Sequence, residues 1–98
     1  MDVVEEPEAV VIRLAGDVDI TNVGQLRATV SQVAAGTLLV VDVNEVGYLD
    51  SAGIAVLFER ARRGRLEVVA APGCPIRRVL EVVAIGQLAT LSDSRSTN

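Results

Sequence analysis

A chain of 98 residues, half of them apolar and with Tyr48 and Phe58 as its aromatics, has room for one core of Val, Leu, Ile and Ala, which argues against a second domain or a disordered chain. Its formal charge of −4 is unevenly placed: residues 1–50 carry nine acids against Arg13 and Arg27, a balance of −7, and residues 51–98 carry four acids against seven arginines, a balance of +3. An acidic first half without a basic run argues against nucleic acid, whose affinity rests mainly on phosphate contacts, and favours a protein partner with a basic surface.

In chain order, MDVVEE reads as a short edge strand turned by Pro7, and AVVIRLAG (Ala9 to Gly16) as a strand. DVD then makes an acidic turn. Thr21 or Asn22 can cap a first helix in which Val23, Leu26, Val30, Val33 and Ala34 recur at helical spacing until Gly36 stops it. TLLVVDV (Thr37 to Val43) is too short and too β-branched for a helix and reads as a central strand buried on both faces, with NEVGYLD as the connection that follows.

Ile54, Leu57, Phe58 and Ala61 mark one stripe of a second helix, which Gly64 ends and whose negative end Arg60, Arg62 and Arg63 favour. That stripe leaves Ala52, Val56 and Glu59 facing water. LEVVA (Leu66 to Ala70) is the next strand, and Pro75 suits the first turn of a third helix with Ile76, Val79, Leu80 and Val83 inward and Gly86 as its stop. LATL follows as a last short strand, then a polar tail expected to fray. Strands alternating with helices imply a single α/β domain, residues 1–91, with a largely parallel sheet of four to five strands and helices packed against it, and a tail over 92–98. No internal repeat or linker interrupts it.

No apolar run approaches the roughly 20 residues that span a bilayer, and the acidic start lacks the regions of a signal peptide, so a soluble, cytoplasmic protein without a membrane partner is expected. Cys74 is alone and histidine is absent, which leaves neither an internal disulfide nor a cysteine-based zinc site. Serine hydrolysis lacks its usual base, because every basic residue is an arginine that cannot give up its proton. LDSAG also lacks the first glycine of the G-x-S-x-G elbow, and no phosphate loop is present. Asp17, Asp19, Asp42, Glu45 and Asp50 match no calcium loop and read as a solvated acidic rim. No enzyme activity, metal or cofactor is expected.

The stretch left over is VGYLDSAGIAVLFER, where Asp50 and Ser51 stand at the start of the second helix. Ser51 suits the N-cap, a role in which replacement by Ala costs about 0.5 to 2 kcal/mol. Asp50 favours the positive helix end. Gly53 costs about 1 kcal/mol relative to Ala in a helix, so it serves either close approach by another protein's backbone or a tight contact within the fold.

VVDVNEVGYLDSAGIAVLFERAR resembles the signature of the bacterial anti-sigma factor antagonist family, the STAS domain, in which an apolar strand ending in an acid leads to D-S-[ST]-G-[LI]. The flanking segments are similar to the same family's earlier and later elements. The resemblance implies that Ser51 is phosphorylated by an anti-sigma factor serine kinase of the histidine-kinase-like ATPase fold and that a phosphatase restores it. It implies a docking surface of Asp17, Asp19, Thr21, Asn22, Asp50, Ser51, Ala52, Gly53 and Val56, with the unphosphorylated protein binding the kinase so that a sigma factor is released. Ala52 stands where the family often has a hydroxyl, which leaves Ser51 as the acceptor. Many members continue into a last amphipathic helix beyond TLSDS, so a shortened member or one that pairs with a second copy of itself is expected. A constitutive binding module of the same fold, such as a subunit of a lipid-transport complex or a stress-signalling scaffold, is the alternative, with Ser51 then only a cap.

Overall fold

The structure is a computed structural model that describes residues 1–94. Five strands, β1 (Asp2–Glu5), β2 (Ala9–Val18), β3 (Leu38–Leu49), β4 (Leu66–Val69) and β5 (Thr90–Ser92), lie in one sheet in sequence order. β1 is antiparallel to β2 and the remaining pairs are parallel. Between them run α1 (Val23–Ser31), α2 (Ser51–Arg63), α3 (Arg77–Val82) and a 3-10 turn over Ile85–Gln87.

Parallel neighbours that follow one another in space as in sequence need crossovers of one hand, so the helices collect on one face of the sheet. The alternation of the strands supplies that face: Ile12 and Leu14, Leu39, Val41 and Val43, and Leu66 and Val68 form one core with Leu26 and Val30 of α1, Val56 and Leu57 of α2, and Leu80 of α3. The intervening residues Val11, Val40 and Val69 make a small second cluster with Leu38 on the other face. Leu39 and Val41 on one face and Val40 on the other are all buried, so β3 is covered on both faces here, as the unbroken run TLLVVDV predicts.

β3 is longer than that run. The segment NEVGYLD continues it to Leu49, paired with β2 as far as Val18, and the DVD turn begins only at Asp19. Two register shifts, between Arg13 and Ala15 and between Gly16 and Asp17 of β2, leave β3 with extra residues on its side of the ladder. Val43, Val46 and Leu49 consequently face the core at intervals of three. A bulged strand loses the period of two by which strands are read, which is why this one resembles a loop in the sequence.

Other boundaries differ as well. Asn22 holds the capping position of α1, but its side chain turns back to the loop and caps no helical N–H. α3 stops at Val82, and the left-handed residue after it is Ala84 (φ 60°), two positions before the expected stop at Gly86. Pro75 lies in the turn that leads to α3, ahead of its first helical residue. Of the expected tail, Ser92 ends β5 and Asp93 accepts from Arg77 Nη1 at 2.6 Å; residues 95–98 lie outside the described residues.

The largest departure is on α2. Its buried residues are Gly53, Val56, Leu57 and Arg60, whereas Ile54, Phe58 and Ala61 form a half-buried flank. Val56, expected to face water, is 1% exposed. The reason is α1, which packs along that side: Arg27 pairs with Glu59, and Arg63 donates to Val30 O at 3.2 Å and Val33 O at 3.4 Å. A glycine and an arginine occupy two positions of the core face, so hydropathy alone shifts the apparent stripe.

Arg60, grouped in the sequence with Arg62 and Arg63 at the helix end, is itself 1% exposed. Its guanidinium donates to the carbonyls of Val33 (2.7 Å), Ala34 (3.0 Å) and Thr37, and with Nε to that of Arg65 (3.2 Å). The first three acceptors lie in the loop that follows α1, so one side chain holds that loop, while Arg63 reaches back to Val30 O in the last turn of the helix itself. Burial, and then the charge of Arg63, lower the proton affinity of Arg60, but an arginine remains charged.

Candidate functional site

β3 delivers the chain to α2 without a loop: Leu49 ends the strand, Asp50 follows, and Ser51 is the first helical residue. Asp50 is extended (φ −90°, ψ −176°), the backbone that an N-cap adopts. Its Oδ1 accepts from Ala52 N at 2.9 Å and Gly53 N at 3.2 Å. The cap is thus Asp50 and not Ser51, because the acid stands one residue earlier, where a side chain can reach the second and third helical N–H groups.

Asp50 has a second duty. Its Oδ2 accepts from Ile20 N at 3.2 Å, and its own N–H donates to Val18 O at 3.1 Å. One carboxylate therefore joins the start of α2 to the loop between β2 and α1. Ser51 is exposed, and its hydroxyl makes no hydrogen bond among the described residues.

The β2–α1 loop is held by its own side chains. Asp19 accepts from Thr21 N at 2.9 Å and from the Thr21 hydroxyl, Asp19 N donates to Asn22 Oδ1 at 3.0 Å, and Asn22 Nδ2 donates to Asp17 O at 2.8 Å. The Thr21 hydroxyl, more than the backbone N–H groups, holds the Asp19 carboxyl below the usual carboxylate range. Gly16, at φ +78°, supplies the left-handed backbone just before the loop.

Asp17, Asp19, Thr21, Asn22, Asp50 and Ser51 are thus brought to one end of the sheet, and Ala52 is half-buried beside them. Gly53 and Val56 are not part of that surface. A Cβ on Gly53 would meet Leu49 Cδ1 and lie 3.0 Å from Val18 Cγ1, so the lean helix surface there serves a contact within the fold. Among the described residues, no three acids or thiols gather as metal ligands. No described helix is long and apolar enough to cross a membrane.

Sequence reasoning missed Ile20. It is 75% exposed, the most exposed of the large apolar side chains among the described residues. The available signal is an isoleucine inside the polar run DITN, between the end of the strand pattern and the start of the helix. Tyr48, 53% exposed, lies opposite Asp17 in the β2–β3 register.

Residues 1–92 match the family model described as "Mlab, STAS domain". Among solved structures, an anti-sigma factor antagonist from Mycobacterium paratuberculosis superposes with a TM-score of 0.80 at 22% identity, covering 94% of this chain and 83% of that one. The anti-sigma factor antagonist SpoIIAA in its unphosphorylated form superposes with a TM-score of 0.73, also at 22% identity, covering 93% of this chain and 86% of its own. At that identity the likeness to both is one of fold.

Proposed function

The chain belongs to the STAS-domain family, and we propose that within it the protein is an anti-sigma factor antagonist switched by phosphorylation of Ser51. The unphosphorylated form binds an anti-sigma factor serine kinase in the cytoplasm so that a sigma factor is released. Phosphorylation by that kinase breaks the complex, and a phosphatase restores it. The protein is then substrate and antagonist and performs no catalysis.

The observation that carries this reading is the division of labour at the start of α2: Asp50 does the capping, and the Ser51 hydroxyl stands exposed on the first helical residue. A phosphate there displaces no cap and meets the positive end of the helix, which tolerates a dianion. The fold survives and the interface does not. About −1.5 to −2 charges arrive beside Asp50 and the acids of the loop, and three oxygens must stay hydrated. A loss of about 3 kcal/mol weakens binding more than a hundredfold.

The test is incubation with ATP and each anti-sigma kinase of the source genome, followed by mass spectrometry. The expected result is one phosphate, on Ser51, absent from Ser51→Ala, with binding by Ser51→Asp reduced at least a hundredfold. The description of the matched family as Mlab favours a second reading, a constitutive binding module such as a lipid-transport subunit. No phosphate on Ser51, together with full binding by Ser51→Asp, decides for that second reading.

A further inference from the structure

An exposed apolar side chain on a loose loop can fold back onto the protein; Ile20 cannot. Its own N–H is held by Asp50 Oδ2, and the residues on either side are tied by the Asp19–Thr21 and Asn22–Asp17 hydrogen bonds. The result is a rigid pedestal that keeps a β-branched side chain 75% in water. Rigid presentation removes most of the ordering cost of docking, the condition under which one apolar side chain contributes most to affinity. The surroundings define the partner's chemistry: Asp17 is exposed, Asp19 is half-exposed with its carboxyl held ionised by Thr21, and Asp50 lies beneath.

We propose that Ile20 is the apolar anchor of the docking surface and fills a socket on the anti-sigma kinase that is rimmed by arginine or lysine. This rests on the reading of the protein as a phospho-switched antagonist. The same carboxylate grips Ile20 N and the start of α2, so the anchor and the Ser51 hydroxyl are offered to one partner in a fixed relation. The acids around the anchor select a basic rim, and burying the isoleucine supplies the apolar part of the affinity.

The experiment titrates each anti-sigma kinase of the source genome with the wild-type protein, Ile20→Ala, Ile20→Lys and Val82→Ala. Val82 is the control, because it is 71% exposed but sits on α3. Melting curves verify that each variant is folded. Expected are a tenfold or greater loss for Ile20→Ala, a larger one for Ile20→Lys, which sets a cation against the basic rim, and a change within twofold for Val82→Ala. The wild-type affinity should fall with added salt, and Ile20→Ala should raise the KM for Ser51 phosphorylation with kcat unchanged. Wild-type-like binding by both Ile20 variants overturns the anchor and leaves the antagonist reading standing. A wild-type protein that binds none of the kinases overturns both.

Discussion

Asp50 accepts the N–H groups of Ala52 and Gly53, while the hydroxyl of Ser51, one residue further on, makes no hydrogen bond among the described residues. Neighbours in the chain thus hold opposite roles: one carries the local structure and the other is free for chemistry. A modification of Ser51 can be read by a partner without being read by the fold.

Thermal melting separates the two roles. Ser51→Ala should change stability by no more than about 0.5 kcal/mol, the range of an ordinary surface substitution. Asp50→Ala should cost about 1 to 2 kcal/mol, because it opens the helix and frees Ile20 N as well. Equal losses in the two variants would return the capping role to Ser51.

Arg60→Ala should destabilise by about 3 to 5 kcal/mol, since it removes a donor from each of the carbonyls of Val33, Ala34, Thr37 and Arg65 and opens a cavity where a fully buried side chain stood. Arg60→Lys should recover less than half of that loss, because a single ammonium cannot reproduce the fork that reaches these acceptors. Denaturant unfolding of the three proteins measures both numbers.

Gly53→Ala sets two effects against each other. Helix propensity favours alanine by about 1 kcal/mol, but the added methyl runs into Leu49 and Val18 beneath the helix. Leu49 and Val18 are themselves buried, so the overlap, at about 1 to 3 kcal/mol, should win and leave the variant less stable by about 1 kcal/mol. A more stable variant in chemical denaturation would show that the contact yields easily.

The hydrogen bond from Thr21 keeps the folded-state pKa of Asp19 below its unfolded value. A depressed carboxylate contributes stability that is fully present above the unfolded value, about 3.9 for Asp, and is lost as the pH falls through the folded value. The loop should therefore hold down to pH 4 and loosen only below it. An NMR titration of the Asp19 carboxyl should place its midpoint below that of a free Asp side chain, and Thr21→Ala should move it back up.

Much of the architecture is legible in the residue pattern. The buried run from Leu38 to Val43, the 3.6-residue recurrence of Val23, Leu26 and Val30, and the D-S pair at the head of α2 depend on near neighbours, and short-range periodicity reports such elements directly. The second half of β3 is hidden because its two bulges erase the alternation that marks a strand. The core face of α2 is hidden because Gly53 and Arg60 break its apolar stripe.

What the sequence determined by itself is therefore the order of elements, one α/β domain and a lone hydroxyl at a helix start in a chain without histidine or lysine. The tertiary structure decided what covers what: α1 lies over Val56, a carboxylate reaches across 30 residues to hold Ile20, and a guanidinium holds the loop after α1 from 27 residues away. The physical reason is that a side chain's burial and hydrogen bonds are set by whichever element lands beside it. That choice belongs to the packing of the whole chain, and no window of neighbouring residues contains it.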